Sequence, residues 1–324
     1  MKNKPLQLAL AIIISAIGLF IAFRDIEWQN FIHELGSINL LWYIGGMLGM
    51  IIILFIRAMR WRIFLLPMGS FSTIKLYKGT IAGFFTNYIL PFRIGEVVRA
   101  YITGQYIEKK GTLLIPSIVI ERMIDGVSFF LFVVIFSFFI DLPLSDKQIL
   151  IVRILLIGIL AFFVTAIFLY YRLRNKITIL LEKKNGKVAN FLKDLHHGML
   201  ALYKVKHPIK IIIYSFSIWF VTGLTYWAGI KACHIELGII EAYILMATAM
   251  IAIAIPAAPG FVGTFHAAIV TVLVALGVDK STAASYAFLQ YFIGLIPIVI
   301  FGLIHFLEAN VSFKDIRKMQ DKNS

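Results

Sequence analysis

The sequence predicts an all-α polytopic membrane protein, with about six spanning helices plus two oppositely oriented re-entrant helical hairpins. Three observations carry that expectation: the composition, the length of the apolar runs, and the placement of Lys and Arg. Of 324 residues, 60% are hydrophobic and 15% charged, whereas soluble domains carry about half apolar and about a quarter charged residues. The mean hydropathy is +0.89. No polar stretch is long enough for an independent soluble domain, so residues 1–324 read as one integral membrane domain. The formal charge of +14 would suggest nucleic acid on a soluble fold. On this chain it is an orientation signal, and no nucleic-acid partner is expected. Cys233 is the single cysteine, so an intramolecular disulfide and a Cys-based metal cluster are both excluded. No cofactor is expected.

The spans predicted are 6–23, 38–56, 112–140, 149–171, 209–230 and 283–307. Each supplies the ~20 residues that a hydrocarbon core of ~30 Å requires. The basic start, Met1-Lys2-Asn3-Lys4, followed by an apolar run, imitates a signal peptide. The run is long for that role and no small-residue cleavage site precedes Arg24, so an uncleaved first span is expected. Two further apolar regions are interrupted. Residues 76–90 and 95–107 flank Pro91-Phe-Arg-Ile-Gly95, and residues 239–255 and 264–278 flank Pro256-Ala-Ala-Pro-Gly-Phe-Val-Gly263. Proline removes a backbone donor and glycine accepts non-helical angles, so both sites break a helix. The arms of the first pair are roughly 20–23 Å long at 1.5 Å per residue, short of a crossing. Each pair therefore reads as a re-entrant hairpin; the competing parse lets every arm cross, giving ten spans of the same parity.

Positive charge orients the chain. With the N-terminus inside, the cytoplasmic segments take Lys2, Lys4, Arg57, Arg60, Arg62, Lys75, Lys78, Lys109 and Lys110. They also take the basic run 172–210 and the tail 309–324. The outer side takes Arg24, Lys147, Arg153, Lys231 and Lys280. Both termini are thus expected in the cytoplasm of a bacterial cell, with the first hairpin opening inward and the second outward. Opposed broken elements, one per half, point to an inverted-repeat transporter. The connector 172–208 carries Val188, Phe191, Leu192, Leu195, Met199 and Leu202 on one helical face. That pattern fits a helix lying on anionic lipid, or a solvated connector. Gly45 and Gly49 form a GxxxG expected to allow close packing.

Ionisable side chains at membrane depth are costly and default to a functional hypothesis. The first break brings Asn87, Pro91, Arg93, Gly95, Glu96 and Arg99, and the next span Glu121, Arg122 and Asp125. Glu121 and Asp125 are one helical turn apart, as are Glu96 and Arg99, so each pair shares a face. Mutual cancellation of these charges fits a structural ion-pair clamp. The functional reading gives Arg93 and Arg99 a lipid phosphate to hold, since guanidinium meets phosphate oxygens with a planar fork. At the second break, Pro259, Gly260 and Gly263 lead to Thr264, an expected N-cap, and to His266. Returning arms that begin within the bilayer present unpaired N–H groups suited to an anion. His266 could donate to phosphate or titrate near neutrality; a packing role is the plainer alternative. Gln290 is a similar candidate. No nucleophile–base pair or metal-ligand spacing stands out, so no catalytic or metal residue is assigned.

The segments 87–99, 121–125 and 256–266 resemble the flippase-like family. It is also called the lysylphosphatidylglycerol synthase transmembrane region family, or UPF0104. The matching patterns are L-P-x-R-x-G-E-x-x-R, E-R-x-x-D and P-x-x-P-G-x-x-G-T, in order along the chain. Many relatives carry Glu at the position of His266. The resemblance implies lipid movement: in the large synthases a homologous membrane domain is associated with flipping the aminoacylated lipid that a separate soluble domain makes. A lipid translocase for an anionic, modified or polyprenyl-linked lipid is therefore the expectation, with membrane lipids as partners. The alternatives are a membrane-embedded enzyme acting on a lipid head group, of phosphatidylglycerol lysyltransferase type, and an anchor for a lipid-modifying enzyme partner.

Overall fold

The computed structural model describes residues 4–90, 94–138, 145–184, 186, 189, 192–193, 196, 200, 207–255 and 259–309. Among these residues every regular element is helical. The helices are α1 (Lys4–Phe23), α2 (Trp28–Gly36), α3 (Leu40–Leu65), α4 (Thr73–Ile89), α5 (Gly95–Tyr106) and α6 (Ile115–Ser137). They continue with α7 (Asp146–Glu182), α8 (Pro208–Ala232), α9 (Ile239–Ala254), α10 (Thr264–Ala275) and α11 (Lys280–Glu308). Four of them, α3, α7, α8 and α11, are long and apolar enough to cross a bilayer. Helix α6 has 23 residues but carries Glu121, Arg122 and Asp125 along its length.

Local chemistry sets several of the starts. Ser145 precedes α7 and its N–H donates to Gln148 Oε1 at 3.0 Å, the reciprocal half of a capping box. Asp279 caps α11, accepting from the N–H groups of Ser281 and Thr282 at 2.9 and 3.1 Å. Before α9, the Gly238 N–H donates to Glu241 at 2.8 Å. Helix α2 falls where the sequence reading placed an outer loop. Nine residues are too few to span, and the helix packs against α11 instead, with Phe31 buried. The Glu27 N–H donates to Ser281 Oγ at 3.0 Å, and Ser285 Oγ to the Phe31 carbonyl at 3.3 Å.

The described residues group into two compact units. The first unit comprises residues 1–55, 77–102 and 220–324, and the second residues 56–76 and 103–219. In the first unit, α10 packs against α1, α9 and α11. Helix α4 meets α5 in antiparallel register: Gly83 faces Arg99 while Asn87 faces Gly95. A Cβ on Gly83 would come within 2.6 Å of the Arg99 Cβ, so the two helices touch backbone to backbone. The GxxxG expectation is corrected by one residue. Nothing lies within 4 Å of a Cβ at Gly45, whereas Gly46 meets Ile293 and Gly49 meets Thr225. A GxxxG names a stripe, and which stripe is covered depends on the neighbour. In the second unit α6 packs against α7. Of the connector, His196 is buried against α7, accepting and donating through its ring nitrogens to Tyr170 and Thr178 at 2.8 and 2.7 Å. Thr178 already donates to the Arg174 carbonyl, so its oxygen accepts from His196 Nε2. The other residues of the amphipathic face are outside the described set, apart from Leu192, which is exposed.

Candidate functional site

The second unit holds a buried charge network on α3, α6 and α8. Along α6, Ser117, Glu121, Asp125 and Ser128 follow at four, four and three residues, one continuous stripe of a 3.6-residue helix. On α3, Arg57 and Arg60 are three apart and share a face. Asp125 takes both of them: Arg57 Nη1 lies 2.6 Å from Oδ2 and Arg60 Nη2 lies 2.5 Å from Oδ1. Arg60 also approaches Glu121 at 3.5 Å and donates to Ser215 Oγ of α8 at 2.9 Å. Arg122 completes the set, 3.4 Å from Glu121 and 3.3 Å from Asp125. Arg60 and Glu121 are fully buried. Among these five side chains, three guanidinium groups face two carboxylates.

Two tryptophans bracket the network and hold α6 in register. Trp61 of α3 donates to Ser117 Oγ at 2.9 Å, one turn before Glu121. Trp219 of α8 donates to Ser128 Oγ at 3.0 Å, one turn after Asp125. Each serine passes its own proton to a carbonyl one turn back, Leu114 and Ile124 respectively, both at 2.7 Å. A buried indole N–H without an acceptor would cost ~1–3 kcal/mol, so these bonds fix the rotation of α6 about its axis. That rotation decides which way both carboxylates point.

Arg57 and Arg60 are the functional candidates that sequence reasoning missed. The apolar run of the second span ends at Ile56, so the sequence alone assigns both arginines to a cytoplasmic loop. Helix α3 instead continues to Leu65. The i, i+3 spacing of Arg57 and Arg60 beside the helical stripe of Glu121 and Asp125 was the available signal.

The other sequence candidates belong to the first unit. Asn87 Oδ1 accepts the Gly95 N–H at 2.7 Å, closing the turn between α4 and α5. Glu96 and Arg99 pair at 3.9 Å across one turn of α5, and Arg99 is buried. Pro91 and Arg93 lie outside the described residues. At the second break, Pro259–Phe261 form a single 3-10 turn, with Gly260 at φ 75° and Phe261 at φ 61°. Gly263, at φ 94°, is the residue that caps α10. This corrects the expectation for Thr264, whose hydroxyl donates back to the Phe261 carbonyl at 3.4 Å instead of capping. The left-handed backbone at Gly263 already turns the chain into the helix, and glycine adopts it without strain. Tyr291 of α11 donates to the Gly260 carbonyl at 3.0 Å and secures the turn. His266 is buried among Phe23, Phe265 and Tyr291, with ring centroids 5.1–5.9 Å apart. Its surroundings are those of a packed core side chain. Gln290 is buried against Gly229.

Comparison with known proteins gives a consistent result. The profile of the family described as lysylphosphatidylglycerol synthase TM region matches residues 8–302. A UPF0104 membrane protein of Methanocaldococcus jannaschii is 28% identical over 232 residues, which cover 70% of this chain and 96% of that relative. No solved structure matches the chain.

Proposed function

Since the chain belongs to the lysylphosphatidylglycerol synthase transmembrane-region family, we propose that it is a lipid translocase for an amphiphile with an anionic, phosphate-bearing head group. The observation that carries this reading is the network of Arg57, Arg60, Glu121, Arg122 and Asp125, held together among otherwise apolar helices. Replacing a buried ion pair by hydrophobic residues of similar volume is often neutral or stabilising by ~1–4 kcal/mol. Stability alone is therefore a weak reason for such a network, whereas an anion that must pass through an apolar layer is a strong one. Guanidinium groups offer the phosphate a bidentate partner. Glu121 and Asp125 hold those groups in place when the head group is elsewhere, so that exchange of partners replaces exposure of bare charge. The two hairpins, α4–α5 and α9–α10, enter from opposite sides as half-length elements, and their arms of 17, 12, 16 and 12 residues are shorter than the ~20 a crossing needs. On this reading the chain makes six crossings of a bacterial cell membrane, keeps both ends on the cytoplasmic side and has membrane lipids as partners.

The test is reconstitution into liposomes carrying a head-group-labelled phosphatidylglycerol in one leaflet. The expected result is redistribution between leaflets in vesicles holding the protein and none in empty vesicles. Folded protein that leaves the label where it started would sink the reading.

A further inference from the structure

The second unit contains a cleft of about 250 Å³, bordered by α3 and by Thr73, His207, Lys210 and Tyr214. We propose that this cleft is a binding site for a phosphate-bearing anion, and specifically for the head group of an anionic phospholipid. Its chemistry divides into two halves. Arg62, Lys210 and His207 supply nitrogen donors, and Thr73 and Tyr214 supply hydroxyls, with no carboxylate in the lining. Among the described residues neither Arg62 nor Lys210 has an ion-pair partner. Met59, Ile63 and Leu66 form an apolar side that a soluble phosphate does not need and that glycerol or the first acyl carbons would cover. The volume falls below the ~300–1,000 Å³ of sites for whole drug-sized molecules, which suits a head group whose chains lie outside.

The surrounding backbone reinforces the charge. Thr73 opens α4 and His207 directly precedes α8, so the leading turns of two helices border one cleft. Leading turns carry unpaired N–H groups and positive partial charge. The cleft and the buried network share two helices: Met59 and Arg62 sit on α3 with Arg60, and Tyr214 on α8 with Ser215, which accepts from Arg60. The site rests on the lipid-handling reading only for the source of the phosphate.

The experiment is equilibrium binding to the full chain in detergent, with phosphatidylglycerol, phosphatidylcholine and inorganic phosphate as probes. Phosphatidylglycerol is expected to bind about tenfold or more tighter than phosphatidylcholine, and the Arg62→Gln/Lys210→Gln variant to lose about tenfold for phosphatidylglycerol, a difference of ~1.4 kcal/mol. Lys231→Gln, a cation outside the cleft, should bind as the wild type does. Inorganic phosphate that binds as tightly as the lipid supports the anion site and assigns it to a soluble phosphate. Phosphate that fails to displace the lipid supports the lipid as occupant. Equal binding of both phospholipids, or unchanged binding by the double variant, overturns the proposal. Protection of Cys233 from thiol reagents verifies folding; should the double variant lose it, Lys210→Gln alone is read. Binding is measured without transport, so a chain that binds but moves no lipid would fail the translocase reading and leave this site standing.

Discussion

At the scale of single residues, Asp125 has the largest consequence. It holds Arg57 and Arg60 through its two oxygens, so Asp125→Asn removes the charge that both face. Breaking a buried pair from one side costs ~3–5 kcal/mol, because the remaining charge stays where water cannot reach it. The expected outcome is a lower unfolding midpoint in detergent together with loss of about tenfold or more in lipid movement. Arg153→Ala serves as the comparison. Arg153 donates to the Ser137 carbonyl at 2.7 Å and lies over the Phe138 ring, away from the network. Transport by that variant should match the wild type, with stability reduced by ~1 kcal/mol. Cys233, between α8 and α9, reports on folding. It is 4% exposed, and burial, followed by the nearby Glu34 charge, pushes its thiol up to about 12. Thiolate is the reactive form. Maleimide labelling at neutral pH should therefore be slow in the folded chain and rapid once it is denatured, and equal rates would contradict the burial.

Between elements, the decisive contacts are backbone approaches and paired anchors. Helices α4 and α5 close only because positions 83 and 95 carry no side chain. Gly83→Leu should force the hairpin apart and cost roughly 1–3 kcal/mol or more, the usual range for overpacking. Gly45→Leu adds the same atoms into open space and should be neutral or gain up to ~1 kcal/mol from better helix propensity. Unfolding midpoints of the two variants separate a packed glycine from an unpacked one. Trp61 and Trp219 act as a matched pair on α6. Their hydrogen bonds lie one turn outside the carboxylates, so the helix is fixed in rotation at both ends of the charged stripe.

Across the whole molecule, the placement of positive charge is the most exposed claim. In a Cys233→Ser background, a cysteine introduced by Lys75→Cys or Lys110→Cys should react with an impermeant thiol reagent only from the cytoplasmic side. Lys147→Cys and Lys280→Cys should react only from the outside. Any reversal within one of these pairs would break the six-crossing arrangement and with it the opposed hairpins.

The helices themselves were legible in the sequence because they depend on neighbours along the chain, although α3 and α7 run on past their apolar stretches to Leu65 and Glu182. Apolar runs gave α3, α7, α8 and α11, and the Pro91–Gly95 and Pro256–Gly263 segments marked both interruptions within a few residues of the observed ends of α4, α5, α9 and α10. Charges inside α6 likewise singled out Glu121, Arg122 and Asp125 without any structure. Partner choice was not legible. That Arg57 and Arg60 meet Asp125, that Gly46 packs and Gly45 does not, and that Arg62 and Lys210 border one cleft all depend on which helix faces come together. Those faces are set by contacts between residues tens to hundreds of positions apart, such as Arg60 with Ser215, and local propensity carries no information about them.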